Sequence, residues 1–271
     1  MDEAKLARAR DRLLRDFVDL LSRDPAVVGI FAGGSVAAGN ADAWSDIDLR
    51  VLVTHERHGF FVSRRRDIPK QIDGFLFNEW LHGAIHCISH FSDFVKVDVF
   101  YLDASAFAPS PWYGLPILIL YDPTGAIKDV VENSKDLSFQ LDPQEIDRSV
   151  SKGVAAIHEA YRRLRRGELV FVQSLLDELR QHMAFADDLI HRRPPQAVPF
   201  SRLETRASDS LLRLLKQSFT VLDERALAAV LQALAVHYRG QVEQLVALTG
   251  MPLDGHMQAL GLVTNQIAAT G

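Results

Sequence analysis

The sequence is poor in features that would point to secreted or membrane proteins. Its 271 residues contain one cysteine, Cys87, which excludes a disulfide within the chain and fits a reducing cytoplasm. The longest apolar run, residues 115–121, is far shorter than the roughly 18 residues of a membrane span. Charged residues begin at Asp2, so the N-terminus lacks the character of a signal peptide. We therefore expect a cytoplasmic protein with no membrane partner.

An excess of positive charge is also missing. Lys and Arg together number 30 against 35 for Asp and Glu, which gives a net charge of −5. Binding to a phosphate backbone requires clustered basic residues in excess, so we expect no nucleic-acid partner. Apolar residues make up 48% of the chain and charged residues 24%, as in ordinary globular proteins. The length suffices for one large domain or two ordinary ones.

The sequence does contain a distinctive segment near its start. An apolar run leads into Gly33, Gly34 and Ser35, and a second apolar run carries Asp46 and Asp48 with one residue between them. This order predicts a strand, a tight turn, a short helix and a second strand. Because side chains alternate between the two faces of a strand, the two aspartates should point to the same side.

Both parts of this segment suit a site for a metal ion and a phosphate group. Carboxylate oxygens are the ligands that Mg²⁺ prefers, and Mg²⁺ commonly bridges protein carboxylates to substrate phosphates. Glycine lets the backbone approach a ligand closely, and N–H groups at the start of a helix attract anions. Either pattern alone is more often an ordinary loop. The prediction depends on their combination.

At these residues the chain resembles the nucleotidyltransferase superfamily, which includes DNA polymerase beta and the antibiotic nucleotidyltransferases. The shared pattern is Gly-Ser, a short spacer, an acid-apolar-acid triplet, and a third acid on a later strand. Gly34-Ser35, Asp46-Ile47-Asp48 and Asp98 fit this pattern. The aminoglycoside and lincosamide nucleotidyltransferases are the closest in pattern. The resemblance covers residues 27–102 and is loose beyond them.

The resemblance implies a set of ligands and roles for the residues of the motif. It implies two Mg²⁺ ions, with Mn²⁺ as an alternative, and ATP or another NTP as the nucleotide. The implied metal ligands, which are also the implied catalytic residues, are Asp46, Asp48 and Asp98. The implied nucleotide-binding residues are Gly33, Gly34 and Ser35.

The rest of the first half predicts an α+β domain. Residues 3–22 have the apolar spacing of an amphipathic helix. Residues 75–80 and 83–90 are typical of strands, and the second lies close enough to the Asp98 strand to form an antiparallel hairpin with it. Residues 117–121 form an uninterrupted apolar run, which predicts a buried strand.

The second half is predicted to be helical. Asp142 and Pro143 are typical of an N-cap and a first helical residue. Helical periodicity then recurs in residues 143–166, 169–191, 208–219, 223–238, 239–250 and 253–268. We predict an N-terminal nucleotidyltransferase domain, residues 1–141, with a mixed β-sheet and flanking helices. An all-α helical-bundle domain that binds the acceptor, residues 142–271, should follow it.

The predicted reaction transfers AMP from ATP, or another nucleoside monophosphate, to a hydroxyl group of a small molecule and releases pyrophosphate. An antibiotic is one candidate acceptor. Candidates for the proton acceptor are Glu79, Glu168, Asp177, Glu178, Asp187 and Asp188. Helical spacing predicts that Asp177 and Asp188 share a face, which would favour a cationic acceptor.

Two further points stay open. The first concerns Arg180 and Lys216, which are candidates for phosphate contacts, although an ordinary place on a helix face is the simpler account of each. The second is an alternative function: a regulatory or antitoxin-like protein that binds or adenylylates a protein partner would have the same fold. The presence of all three acids counts against a loss of catalysis.

Overall fold

A computed structural model describes residues 2–194, 196 and 198–268. The chain divides into two units, Met1–Ser138 and Phe139–Gly271. The first contains a mixed sheet with flanking helices and the second is helical, which confirms the predicted α+β class. The roles predicted for residues 1–141 and 142–271 stay predictions.

The sheet of the first unit has six strands among the described residues. They are β1 Val27–Ala32, β2 Ile47–Val53, β3 Phe75–Glu79, β4 His86–Phe91, β5 Lys96–Asp103 and β6 Leu118–Tyr121. Their order is β3-β4-β5-β2-β1-β6. Strands β2 and β5 pair in parallel, and the other neighbours pair antiparallel. The predicted hairpin that ends in the Asp98 strand is confirmed.

The helices of this unit are α1 Glu3–Leu21, α2 Gly34–Ala37, α3 His55–Arg64 and α4 Ala126–Glu132. Helix α1 begins at a side-chain cap, in which the N–H of Ala4 donates to Asp2. Its apolar residues recur every three or four positions and lie on one buried face. That face joins the core formed by one side of the sheet.

The central strands β2 and β5 separate apolar from polar side chains. Ile47, Leu49 and Val51 of β2 and Val97 and Val99 of β5 are buried in the core beside α1. Because side chains alternate along a strand, the intervening residues point to the opposite face. These half-buried residues are Asp48 and Arg50 of β2 and Lys96, Asp98 and Phe100 of β5. The opposite face of the central strands is therefore where the polar groups gather.

Strand β6 does not match its prediction as a buried strand. It pairs with β1 and forms one edge of the sheet. Leu118 and Ile119 are 40% and 38% exposed. The prediction was wrong because an apolar run resembles a central strand in sequence whether it has one neighbour or two.

The helical unit contains α5 Pro143–Leu164, α6 Leu169–Ile190, α7 Leu203–Arg206, α8 Asp209–Ser218, α9 Glu224–Thr249 and α10 Asp254–Ala268. The predicted start of α5 is confirmed, since the N–H of Gln144 donates to Asp142 at 2.9 Å and Pro143 occupies the first turn. Buried leucines from these helices form one core. Within the described part of the chain, no helix combines the length and apolar character needed to cross a bilayer.

Helix α9 corrects a second prediction. Residues 223–238 and 239–250 were expected to be separate helices, but α9 is continuous from Glu224 to Thr249. Tyr238, Gln241 and Val242 are buried on either side of Gly240. Packing along the whole helix outweighs the roughly 1 kcal/mol by which an internal glycine disfavours it.

Candidate active site

The turn between β1 and α2 is attached directly to strand β2. The N–H of Gly33 donates to the carbonyl oxygen of Asp48 at 2.9 Å. Gly34 has φ +62°, a region that favours glycine, and a β-carbon there would overlap Oδ2 of Asp48. The second glycine therefore allows the turn to approach the carboxylate closely.

Helix α2 continues from this turn. It has four residues, with Gly33 at its N-cap, and Ser35 is buried, with 6% of its surface exposed. The first N–H groups of any helix have no carbonyl within the helix to bond. The turn therefore brings backbone donors close to an acidic side chain.

The three predicted acids converge on one face of the sheet. Asp48 lies directly opposite Asp98 in the parallel pairing of β2 and β5, and neighbouring strands are about 4.8 Å apart. Asp46 comes just before β2. The Nζ atom of Lys96 lies 3.0 Å from Oδ2 of Asp46 and 3.3 Å from Oδ2 of Asp98. A single ammonium group thus bridges two of the three carboxylates.

The environment of Asp98 disfavours its charged form. Burial raises the pKa of Asp98, the ammonium of Lys96 opposes that rise, and the carboxylates of Asp48 and Asp46 add to it. Oδ1 of Asp98 is buried and has no hydrogen-bond partner. Burial alone would lower the pKa of Lys96, but Asp46 and Asp98 outweigh it and raise that pKa. Lys96 is therefore the protonated counter-ion of the acids.

Sequence reasoning missed the next residue on this face, Arg50. Its guanidinium lies 4.2 Å from the centre of the Phe100 ring, and Nη1 lies 3.8 Å from Oδ1 of Asp48. Burial lowers the pKa of Arg50, while the carboxylates of Asp48 and Asp98 oppose that change. The alternation that singled out Asp46 and Asp48 reaches Arg50 two positions later, so the signal was present in the sequence.

The residue types of this site fit a divalent cation, although their arrangement in this structure is not yet a metal cage. All three acids offer oxygen ligands, which Mg²⁺ and Mn²⁺ prefer, and Asp98 has an unused oxygen. In residues 2–194, 196 and 198–268, no group of three or more His, Cys, Asp or Glu side chains is close enough to hold a metal ion. Lys96 lies between Asp46 and Asp98, so a metal ion there would replace its ammonium.

Glu79 lies on the same face, further toward the edge of the sheet. It is opposite Ile88 of β4, which is itself opposite Asp98 of β5. Its side chain is 66% exposed, and Oε2 lies 3.5 Å from Nε2 of His90. This register places an accessible carboxylate two strands away from Asp98.

The candidate acids of α6 do not form the predicted exposed face. Asp187 and Asp188 are 3% and 2% exposed. Arg193 contacts both carboxylates, and Arg206 binds Asp188. The prediction that Asp177 and Asp188 form a face for cations is wrong, because arginines from the following segment cover Asp188.

Several other candidates of the helical unit also have local partners. Arg180 is fully buried, and its Nε donates to Oγ of Ser218 at 2.8 Å, so neither a phosphate contact nor a solvated helix face describes it. Glu168 pairs with Arg163 and Arg166. Asp177 accepts a hydrogen bond from Nη1 of Arg180. Glu178 is partly exposed and Lys216 is exposed.

Comparisons with known proteins agree with the geometry of the first unit. Residues 11–89 match the family model described as "Nucleotidyltransferase domain". This segment includes the turn, Asp46 and Asp48, and Asp98 lies beyond its end. No curated protein matches the chain.

Two solved structures are similar to the chain over most of its length. An aminoglycoside 6-adenyltransferase from Bacillus subtilis is 13% identical with a TM-score of 0.46, over 93% of this chain and 95% of that one. A nucleotidyltransferase-like protein from Exiguobacterium sibiricum is 13% identical with a TM-score of 0.36, over 95% of this chain and 90% of that one. Both TM-scores lie below 0.5, so neither likeness identifies a substrate for this chain.

Proposed function

Since the chain carries a nucleotidyltransferase domain, we propose that it transfers AMP from ATP to a hydroxyl group of a small-molecule acceptor. The acceptor oxygen forms a bond to the α-phosphorus, the bond from that phosphorus to the bridging oxygen breaks, and pyrophosphate leaves. The hydroxyl proton passes to a base. The observation that carries the proposal is the convergence of Asp46, Asp48 and Asp98 beside the turn at Gly34.

The turn is suited to the phosphate groups of the nucleotide. The N–H of Gly33 is already bonded to Asp48, but the first N–H groups of α2, which begins at Gly34, have no carbonyl within the helix to bond, and such groups attract phosphate oxygens. The carboxylate of Asp48 lies against Gly34 and would repel the same phosphates. We therefore expect phosphate to bind here together with a cation that offsets both negative charges.

Asp46, Asp48 and Asp98 are the residues that would hold this cation. Mg²⁺ or Mn²⁺ bound there would supply charge neutralisation for the attacking and leaving oxygens. The ammonium of Lys96 already lies between Asp46 and Asp98. The position of Lys96 supports the view that these carboxylates favour a cation between them.

Among the candidate proton acceptors, the placement of Glu79 supports the role best. Its carboxylate is accessible and lies on the face that carries the three acids. The acids Asp187 and Asp188 are buried in ion pairs with arginines. We therefore assign proton acceptance from the acceptor hydroxyl to Glu79.

The test is product analysis with the full chain. The protein is incubated with Mg²⁺, each of the four NTPs and a panel of hydroxylated small molecules that includes aminoglycosides and lincosamides. Mass spectrometry should show one acceptor heavier by a nucleoside monophosphate, with an equivalent amount of pyrophosphate. Asp48→Asn should give neither product. A modified protein with no modified small molecule would favour the alternative, in which a protein partner is adenylylated.

A further inference from the structure

Arg50 brings to the acidic site a donor, Nη1, that no protein group uses. It projects from the same face of β2 as Asp48, two positions further along the strand. Its Nη1 is buried without a hydrogen-bond partner, and the 3.8 Å separation from Oδ1 of Asp48 is too long for a hydrogen bond. A buried donor without a partner is unfavourable, so Arg50 is suited to an acceptor that arrives from outside the chain.

Aromatic rings fix the orientation of this guanidinium. It lies over the ring of Phe100 at 4.2 Å, and the other stacking partner of Phe100 is His86, with ring centres 4.6 Å apart. Stacking holds the guanidinium plane while leaving its edge available for hydrogen bonds. The side chain as a whole is 28% exposed, so solvent reaches part of it, while Nη1 itself is buried.

The sequence of the turn supplies no cation for an anionic ligand. Residues 33–39, which form the turn and α2, contain no Lys, Arg or His. Lys96 is another cation on this face, and its ammonium is engaged by Asp46 and Asp98. Arg50 therefore supplies positive charge two positions along β2 from Asp48, the residue that contacts the turn, without giving up an existing hydrogen bond of Nη1.

We infer that Arg50 binds a phosphate group of the nucleotide, an inference that rests on the proposed function. The planar fork of a guanidinium matches two oxygens of one phosphate. Its charge offsets the repulsion that the carboxylate of Asp48 exerts on a phosphate at the turn. A phosphate oxygen would take the place of Oδ1 of Asp48 beside Nη1 of Arg50.

The experiment measures binding rather than turnover. Isothermal titration calorimetry of the full chain with Mg²⁺ is carried out with ATP and with tripolyphosphate, which has no base or ribose. Arg50→Gln should weaken both by at least tenfold and should make ATP affinity less dependent on salt, because one cation has been removed. Arg50→Lys should recover part of the affinity, since it restores the charge without the fork. Arg8→Gln is the charge-matched control, because Arg8 is exposed on α1, which packs on the other face of the sheet.

Each outcome has one meaning. Unchanged ATP affinity in Arg50→Gln overturns the inference. It is also overturned if the variant loses affinity for ATP but not for tripolyphosphate, because the contact would then be to the nucleoside. If Arg50→Gln does not fold, Arg50→Lys decides by the same comparison of ATP with tripolyphosphate. If the unmodified protein binds no NTP, the proposed function is overturned as well. If it binds NTP with an affinity that is the same in the variants of Arg50, the inference alone is overturned.

Discussion

Gly34 lies so close to the carboxylate of Asp48 that a β-carbon at residue 34 would overlap Oδ2. Gly34→Ala should therefore lower the free energy of unfolding by about 1–3 kcal/mol, because alanine disfavours the positive φ and the carboxylate must move. It should also weaken ATP binding. Urea unfolding and calorimetry measure the two effects. Gly33→Ala is the control, since a β-carbon there meets nothing within 4 Å; equal behaviour of the two variants would contradict a special role for Gly34.

The acids of the site should be needed for turnover rather than for folding. Asp46→Asn and Asp48→Asn keep the shape of the side chain and remove one negative charge each. Loss of a group that only supports a metal ligand typically lowers activity by about 10–100-fold. Turnover should fall by more than this, because the acids are proposed to be ligands themselves. The circular dichroism spectrum should stay unchanged. Asp11→Asn, on the exposed side of α1, should be silent. Near-normal turnover in Asp48→Asn would contradict the proposed role of the carboxylates.

Lys96 should compete with a divalent cation. Lys96→Met removes the ammonium from between Asp46 and Asp98, so the protein in EDTA should unfold at a lower temperature because the carboxylates repel one another. Mn²⁺, followed by electron paramagnetic resonance, should bind more tightly than to the unmodified protein. Lys96→Arg, which keeps the charge, should not show this gain. The competition is disproved if Lys96→Met leaves Mn²⁺ affinity unchanged.

The exposed pair of His55 and Asp103 should make stability depend on pH. Their hydrogen bond, 2.6 Å long, raises the pKa of His55 above 6.5 and lowers the pKa of Asp103 from 3.8 to about 2. The stabilisation from His55 is complete below 6.5 and disappears as the pH rises through the raised value. The stabilisation from Asp103 is complete above 3.8 and disappears as the pH falls toward about 2.

The corresponding measurement compares His55→Gln with the unmodified protein. The difference in the free energy of unfolding should be largest between pH 3.8 and 6.5 and should shrink on both sides of that range. His58→Gln is a matched substitution on the same helix, and its ring contacts the carbonyl of Tyr101 instead of a carboxylate. A difference for His55→Gln that does not vary with pH would show that the ion pair is not formed in solution.

Arg180 should stabilise the helical unit and leave nucleotide binding unaffected. Arg180→Met leaves the carbonyl of Ser218 without its guanidinium donor, so the free energy of unfolding should fall by about 1–3 kcal/mol. Lys216→Met, at an exposed position of α8, should change it by less than about 0.5 kcal/mol. The burial of Arg180 argues against a contact with phosphate. If Arg180→Met lost ATP affinity at unchanged stability, such a contact would be supported after all.

Local patterns predicted most of the first unit. The alternation of Ile47, Asp48 and Leu49 identified both the strand and its two faces, because one face is buried and the other is not. The same reasoning placed Asp98 on a strand, and the parallel register of β2 and β5 brings it opposite Asp48. The glycines indicated a tight turn, but the sequence could not show which of them adopts a positive φ, and in the structure it is Gly34.

The failures concern interactions between residues distant in sequence. Periodicity placed Asp188 on a helix face, but it could not show that Arg206 would cover that face. The burial of Arg180 likewise depends on Ser218 from another helix. The bridging position of Lys96 depends on the pairing of two strands that lie far apart along the chain. In each case the missing information was which chain segments pack together.

The parallel pairing of β2 with β5 has a consequence for folding kinetics. Asp48 and Asp98 meet only after the segment between them, which contains α3, β3 and β4, has closed into place, and contacts of high sequence separation form slowly. The β4–β5 hairpin is local and can form first, at a stage when Asp98 has no acidic neighbour from β2. Mutual repulsion of the carboxylates thus arises late, when most of the sheet is already assembled. We expect a chaperone-free refolding reaction to proceed at nearly the same rate with or without Mg²⁺, and the ion to slow unfolding instead.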